Sequence, residues 1–128
     1  MASSTMASVT PAPKVVCIFQ VKAFFDPKDR DAFLHLFTPM YHTVAAEPEC
    51  AYFITGEKID EPGVFRWTEA WTKDYDWFMN VQAKKPYYEP YLKALKPLFK
   101  SEIIMEAYTP LEGMNSFKVD LSIFPPKV

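Results

Sequence analysis

Cysteine and histidine each occur only twice in the 128 residues. Cys17 and Cys50 make no CxxC pair, and His35 and His42 complete no Cys/His ligand set. That pattern argues against a structural zinc site and against a disulfide framework. Basic charge is not in excess either. Fourteen Lys and Arg stand against 16 Asp and Glu, for a net charge of −2. Without a basic stripe to neutralise phosphates, nucleic acid is not an expected partner. No apolar run is long enough for a membrane span. Residues 1–14 are rich in Ala, Ser, Thr and Pro and lack both a basic and an apolar signal region. They read as a disordered tail on a cytoplasmic protein, not as a secretory signal.

What the chain has in abundance is rings. Three Trp, seven Tyr and eleven Phe make 21 aromatic side chains in a chain that is 49% hydrophobic. Each buries a large apolar area. A single small core has limited room for so many, so either the core is unusually ring-rich or some rings line a ligand cavity or a subunit interface.

The order of elements follows from local patterns. Residues 15–25 (VVCIFQVKAFF) are β-branched and aromatic and predict a strand. Asp26-Pro27-Lys28-Asp29 starts a helix. Phe33, Leu36, Phe37, Met40 and Val44 form its apolar stripe, with Pro39 expected to bend it. Residues 50–56 and 64–71 predict a hairpin across the turn at 58–63. A helix over 72–83, capped by Thr72 or Asp74, a helical segment over 86–98 and a strand over 101–108 follow. Residues 111–128 form a C-terminal tail in which 117–123 could make a further strand that crosses to a partner. The sum is β-α-β-β-α-β, an α+β ferredoxin-like split βαβ arrangement. Several strands read as apolar on both faces, and a second copy of the chain is the simplest cover for the face without helices. A homodimer packed sheet to sheet is therefore expected, with Phe19 assigned to the dimer face.

Two stretches, AEPECAYFITGEKIDEPGVFRWTEAW and WFMNVQAKKPYYEPYLKAL, carry a resemblance. Glu47-Pro48-Glu49-Cys50, Glu69-x-Trp71 and the aromatic segment from Lys85-Pro86-Tyr87-Tyr88 resemble the antibiotic biosynthesis monooxygenase (ABM) domain in its fungal branch. The similarity spans about residues 14–110, and 15–110 are taken as the domain. It implies a dimeric α/β barrel with a ligand pocket between sheet and helices in each subunit. Family chemistry includes cofactor-free oxygenation of aromatic polyketides, quinol oxidation and haem degradation. Many members carry a His nine residues after the strand Trp, where this chain has Asn80. A haem role needs an axial ligand of that kind, so haem degradation is not expected here, and no cofactor or metal is.

The resemblance places Trp71 on the pocket, and strand parity then adds Trp67 and Glu69. The alternative for both Trp is a place in the core or at an interface. Glu69 would need a partner, either Arg66 of a neighbouring chain or Tyr hydroxyls. Gln20 aligns with a pocket amide of some members, and reads alternatively as a cross-strand hydrogen bond. Asn80 would bind an oxygen from the opposite wall. His42, seven residues from His35, is either solvent-facing or a base at the pocket. Tyr87, Tyr88 and Tyr91 are the candidate substrate-binding tyrosines, one or two of which would close the pocket mouth, where Lys84 and Lys85 either attract an anion or are plain solvated charges.

Three functions are compatible with these residues. The first is a cofactor-independent monooxygenase oxidising an electron-rich phenol of anthrone or hydroquinone type with O₂. In it Trp67 and Trp71 hold the rings, Gln20 and Asn80 bind oxygens, and His42 or a Tyr moves a proton. The second is a cofactor-free cyclase, dehydratase or decarboxylase of a polyketide-like intermediate in the same pocket. The third is a non-catalytic small-molecule-binding dimer.

Overall fold

A computed structural model describes residues 13–117. All but the first residue of the strand predicted over 117–123, and nearly all of the N-terminal tail, lie outside them. Four strands make one antiparallel sheet in the order β2-β3-β1-β4, with β1 at Cys17–Phe24, β2 at Cys50–Glu57, β3 at Val64–Trp71 and β4 at Ile104–Tyr108. Helix α1, Arg30–Ala45, joins β1 to β2. The β3–β4 connection holds α2, Tyr75–Asn80, and α3, Tyr88–Leu95, with a 3-10 turn at Gln82–Lys84 between them. This is the expected α+β split βαβ order.

Local chemistry explains the element ends. Pro27 opens a 3-10 turn ahead of α1, and Asp74 caps α2 by accepting from the Trp77 N–H at 2.9 Å. Pro39 lies inside α1 without ending it. The carbonyl it orphans is that of His35, on the exposed side of the helix and open to solvent. The single helix expected over 72–83 breaks at Val81, whose φ of −118° and ψ of −64° leave α geometry. Directly after that break Gln82 is turned fully inward. Arg30 Nε and Nη2 meet Glu57 at 2.9 Å and tie the start of α1 to the end of β2. In the hairpin, Gly63 has φ +91°, and a Cβ there would stand 2.4 Å from the Phe25 carbonyl oxygen. Only glycine permits that approach.

Strand alternation sorts the sheet into two faces. Cys17, Phe19, Val21 and Ala23 of β1 and Phe65, Trp67 and Trp71 of β3 point under the helices and are buried. Phe19 is thus a core residue against Phe78, at a ring distance of 4.3 Å, and not part of a dimer face. Its parity partners Cys17 and Val21 carry it to the helix side. The other face carries Ile18, Gln20 and Lys22 beside Arg66 and Thr68, a mixture of polar and apolar groups. The core has two ring-rich clusters. One gathers Phe25, Phe33, Phe37, Phe65, Trp67 and Leu95. The second gathers Cys17, Phe19, Met40, Val44, Trp71 and Phe78.

Candidate functional site

A cavity of about 220 Å³ opens where the two clusters meet. The sheet contributes Val21, Trp67 and Glu69, and α1 contributes Phe37, Met40 and Val44. Phe78 and Met79 of α2 and Tyr88, Tyr91 and Leu95 of α3 close the other side. Glu69 is the one charged residue on this wall among the described residues. Its position follows from the strand period of two. Trp67, Glu69 and Trp71 stand in line on one face of β3, so the two indoles flank the carboxylate. Trp67 Nε1 donates to Oε2 at 3.1 Å and Trp71 Nε1 donates to Oε1 at 3.2 Å. Neither indole brings a positive charge. Burial therefore dominates over the two hydrogen bonds and lifts the Glu69 carboxyl to about 7. At neutral pH it passes readily between acid and carboxylate, as a general base must. The expected partners of Glu69, Arg66 or Tyr hydroxyls, give way to these indoles, because Arg66 projects from the other face and is exposed.

The aromatic segment after α2 divides. Tyr88 and Tyr91 line the cavity, and burial together with the charge of Glu69 pushes both phenols well above their ordinary range. Both remain protonated and serve as donors, not bases. Tyr87 does not border the cavity. Its hydroxyl donates to Glu47 Oε2 at 2.7 Å, and burial first and Glu47 second push it up to about 12. Lys85 is bound to the same carboxylate oxygen at 2.6 Å, while Lys84 is exposed.

Four other expected site residues stand away from this wall. Trp71 faces the helices as expected but is sealed beneath Trp77 and Phe78, at ring distances of 6.0 and 5.2 Å, and is fully buried. Gln20 lies on the helix-free face, because its even parity opposes that of Phe19 and Val21. There its Oε1 accepts from Thr68 Oγ1 at 3.0 Å, the cross-strand alternative. His42 is on the exposed side of α1, beside Tyr41. Asn80 ends α2 in solvent, while its neighbour Met79 reaches the cavity rim. Sequence reasoning passed over Gln82, which is fully buried, and its hydrogen-bonded neighbour Glu47. A lone Gln between Val81 and Ala83 was a weak signal for the first. Nothing linked Glu47 to Lys85 across 38 positions. No group of three or more Cys, His, Asp or Glu stands together as a metal ligand set among the described residues. No helix among them is long and apolar enough to cross a membrane.

No family profile matches the chain. A protein of the fungus Pestalotiopsis microspora named "Putative monooxygenase" is 35% identical over 111 residues, covering 87% of this chain and 91% of its own length. In fold, the chain is similar to a crystal structure from Deinococcus radiodurans described as a "putative antibiotic biosynthesis monooxygenase". The TM-score is 0.69 at 20% identity, over 80% of this chain and 99% of that one. One described in the same words from Nitrosomonas europaea gives a TM-score of 0.66 at 17% identity, over 74% of this chain and 98% of the other. With a monooxygenase-named relative aligned along nearly its whole length and the fold shared with these structures, the chain belongs to the ABM-domain, monooxygenase-like family.

Proposed function

We propose that the protein is a cofactor-independent monooxygenase that oxidises an electron-rich, fused-ring phenol or anthrone with O₂. The observation that carries this reading is the pairing of an apolar, ring-lined cavity with one carboxylate poised near neutrality. The cavity is small beside the ~300–1,000 Å³ common for ligand pockets, which favours a compact substrate. Trp67 and Phe37 offer flat walls to its rings. Glu69 takes the proton from the activated C–H of the substrate. The carbanion gives one electron to O₂, and the substrate radical and superoxide join in a C–O bond. The peroxide anion receives the proton back from Glu69. Loss of the second C–H proton then cleaves the O–O bond, releasing water and leaving a ketone. One O₂ is consumed, one oxygen stays in the product and the other leaves as water. The substrate supplies all four electrons. Excluding bulk water protects the carbanion and strengthens each polar contact in the site.

The test uses anthrone and labelled O₂ with protein prepared free of metal and flavin. The expected product is anthraquinone with one labelled oxygen, formed faster than in buffer alone. Unlabelled product, or no rate above the background, would sink the oxygenase reading. A chemical change without label would favour the cyclase or dehydratase reading, and saturable binding without turnover a binding protein.

The same reading includes a homodimer through the helix-free sheet face. Ile54, Ile104 and Tyr108 stand on that face with relative exposures of 65%, 46% and 48%. A second copy packed on this face would cover them. Light scattering of the purified chain is expected to give twice the chain mass of 14.8 kDa. A monomer mass at micromolar concentration would remove the dimer.

A further inference from the structure

Behind the α3 wall of the cavity, a line of side chains gives Tyr88 a direction. Lys85 Nζ lies 2.6 Å from Glu47 Oε2, and the Tyr87 hydroxyl donates to the same oxygen at 2.7 Å. Gln82 Nε2 donates to the Tyr87 oxygen at 2.7 Å and to the Tyr88 oxygen at 2.9 Å. Gln82 is fully buried, its amide oxygen has no hydrogen-bond partner among the described residues and its side chain also hydrogen-bonds Glu47, so the acceptors around its nitrogen set its orientation.

The polarity of the whole line is set at Glu47. Lys85 and Tyr87 hold its carboxyl below the usual range, so it is a carboxylate and only accepts. Tyr87 has one proton and gives it to Glu47. Its oxygen then accepts from Gln82, which must present its amide nitrogen. The second hydrogen on that nitrogen goes to Tyr88. With the amide turned over, its oxygen would face the Tyr87 oxygen at 2.7 Å with no hydrogen between them. The Tyr88 oxygen is thus occupied as an acceptor, and its own proton is left to give. Two acceptors compete for it. One is the adjacent Tyr87 oxygen, to which the Tyr88 hydroxyl donates alongside Gln82, so a ligand oxygen has to draw the O–H away from it. The other is an oxygen on a molecule in the cavity that Tyr88 lines.

We propose that Gln82 is a positioning residue that occupies the Tyr88 oxygen and leaves the Tyr88 O–H for a ligand, so that the cavity selects fused-ring molecules bearing an acceptor oxygen, a ketone or a phenolate. This rests on the ligand cavity of the proposed function and not on its oxygen chemistry. In that cavity the ketone oxygen of an anthrone would sit at Tyr88, where negative charge accumulates once Glu69 has taken the proton. A pre-aimed donor at that point favours the anion.

The test compares α-tetralone, whose one polar atom is an acceptor oxygen, with tetralin, the same skeleton without it. Wild-type protein is expected to bind the ketone about tenfold more tightly than the hydrocarbon, the size of one well-placed hydrogen bond. The infrared carbonyl band of bound α-tetralone is expected below its position in alkane solvent. In Tyr88→Phe and in Gln82→Glu the ratio of ketone to tetralin affinity should fall to about one and the band return to the alkane position. At a pH where the new carboxyl is ionised, the Gln82→Glu side chain only accepts, and it draws the Tyr88 proton to itself. Should Gln82→Glu not fold, Tyr87→Phe serves instead. It releases Gln82 from Glu47 and is expected to shrink the band shift. A wild-type band at the alkane position, or a shift that survives Tyr88→Phe or survives Gln82→Glu, overturns the proposal. Failure of the labelled-oxygen experiment with this band shift intact would remove the oxygenase and leave this inference standing. Absence of binding by both molecules would remove both.

Discussion

Glu69→Gln is expected to lower anthrone oxidation by about 10²–10⁴-fold in kcat/KM, the range a positioned general base contributes. The wild-type rate should rise with pH through about 7, where Glu69 ionises in the folded protein, and the residual rate of the variant should lose that rise. The same carboxyl leaves a mark on stability, which separates a failed base from a misfolded protein. Its folded pKa of about 7 lies above its ordinary 4.5, so between these values the folded state binds more protons than the unfolded state. Stability from this group therefore declines as pH rises from about 4.5 to about 7, by roughly 3 kcal/mol in all, and is flat beyond. Urea midpoints at about pH 5 and about pH 8 should differ in the wild type and converge in Glu69→Gln. The amide sets an NH₂ against one indole N–H, so the pH slope and not the absolute stability is the quantity to compare. Full activity with an unchanged pH profile would remove Glu69 from the reaction.

That slope follows from how the site is built. The two indoles hold Glu69 in place with neutral donors, which orient a carboxylate without neutralising it. A cation there would lower the carboxyl, as Arg30 does for Glu57, and a carboxylate held down in that way is a poor base at neutral pH. The polar groups of the cavity thus divide the work. Glu69 accepts a proton, and Tyr88 and Tyr91, held protonated by burial, each keep an O–H to donate.

Elements with strong local patterns were legible from sequence. The α1 stripe is one: Phe33, Phe37, Met40 and Val44 are all buried. The period of two on β3 placed Trp67, Glu69 and Trp71 on one face, and the split βαβ order followed from the succession of such patterns. Two things were not legible. The first is which side of β1 faces the helices, because Val16 and Ile18 are as apolar as Cys17 and Val21. Gln20 and Phe19 were exchanged between faces for that reason. The second is any contact between distant segments. Glu47, Gln82, Lys85, Tyr87 and Tyr88 form one network only because α1 ends against the turn after α2. Polar residues in separate elements carry no periodicity that would join them. His42 and Asn80 show the converse error, in which chemical suitability stood in for position.

Trp71→Ala carries the largest expected effect on stability, and it separates a structural indole from a ligand-binding one. Trp71 is fully buried against Trp77 and Phe78 and does not border the cavity. Its removal leaves a void in the second core cluster, a change that costs about 3–5 kcal/mol for a buried Trp. Against a domain stability of roughly 5–15 kcal/mol, the variant should melt some 10–20 °C lower, read by circular dichroism. A residue on the cavity wall would behave otherwise, losing ligand affinity with a near-native melting point. Trp71→Phe isolates the second role of the side chain. It keeps a ring in the core but deletes the N–H that Glu69 Oε1 accepts. That bond lowers the Glu69 pKa against the effect of burial, so its loss should move the pH–rate profile upward while most of the stability is kept. A Trp71→Phe profile identical to wild type would mean that the Trp67 indole alone tunes the carboxylate. A Trp71→Ala protein with native melting and weakened tetralin binding would return Trp71 to the cavity wall.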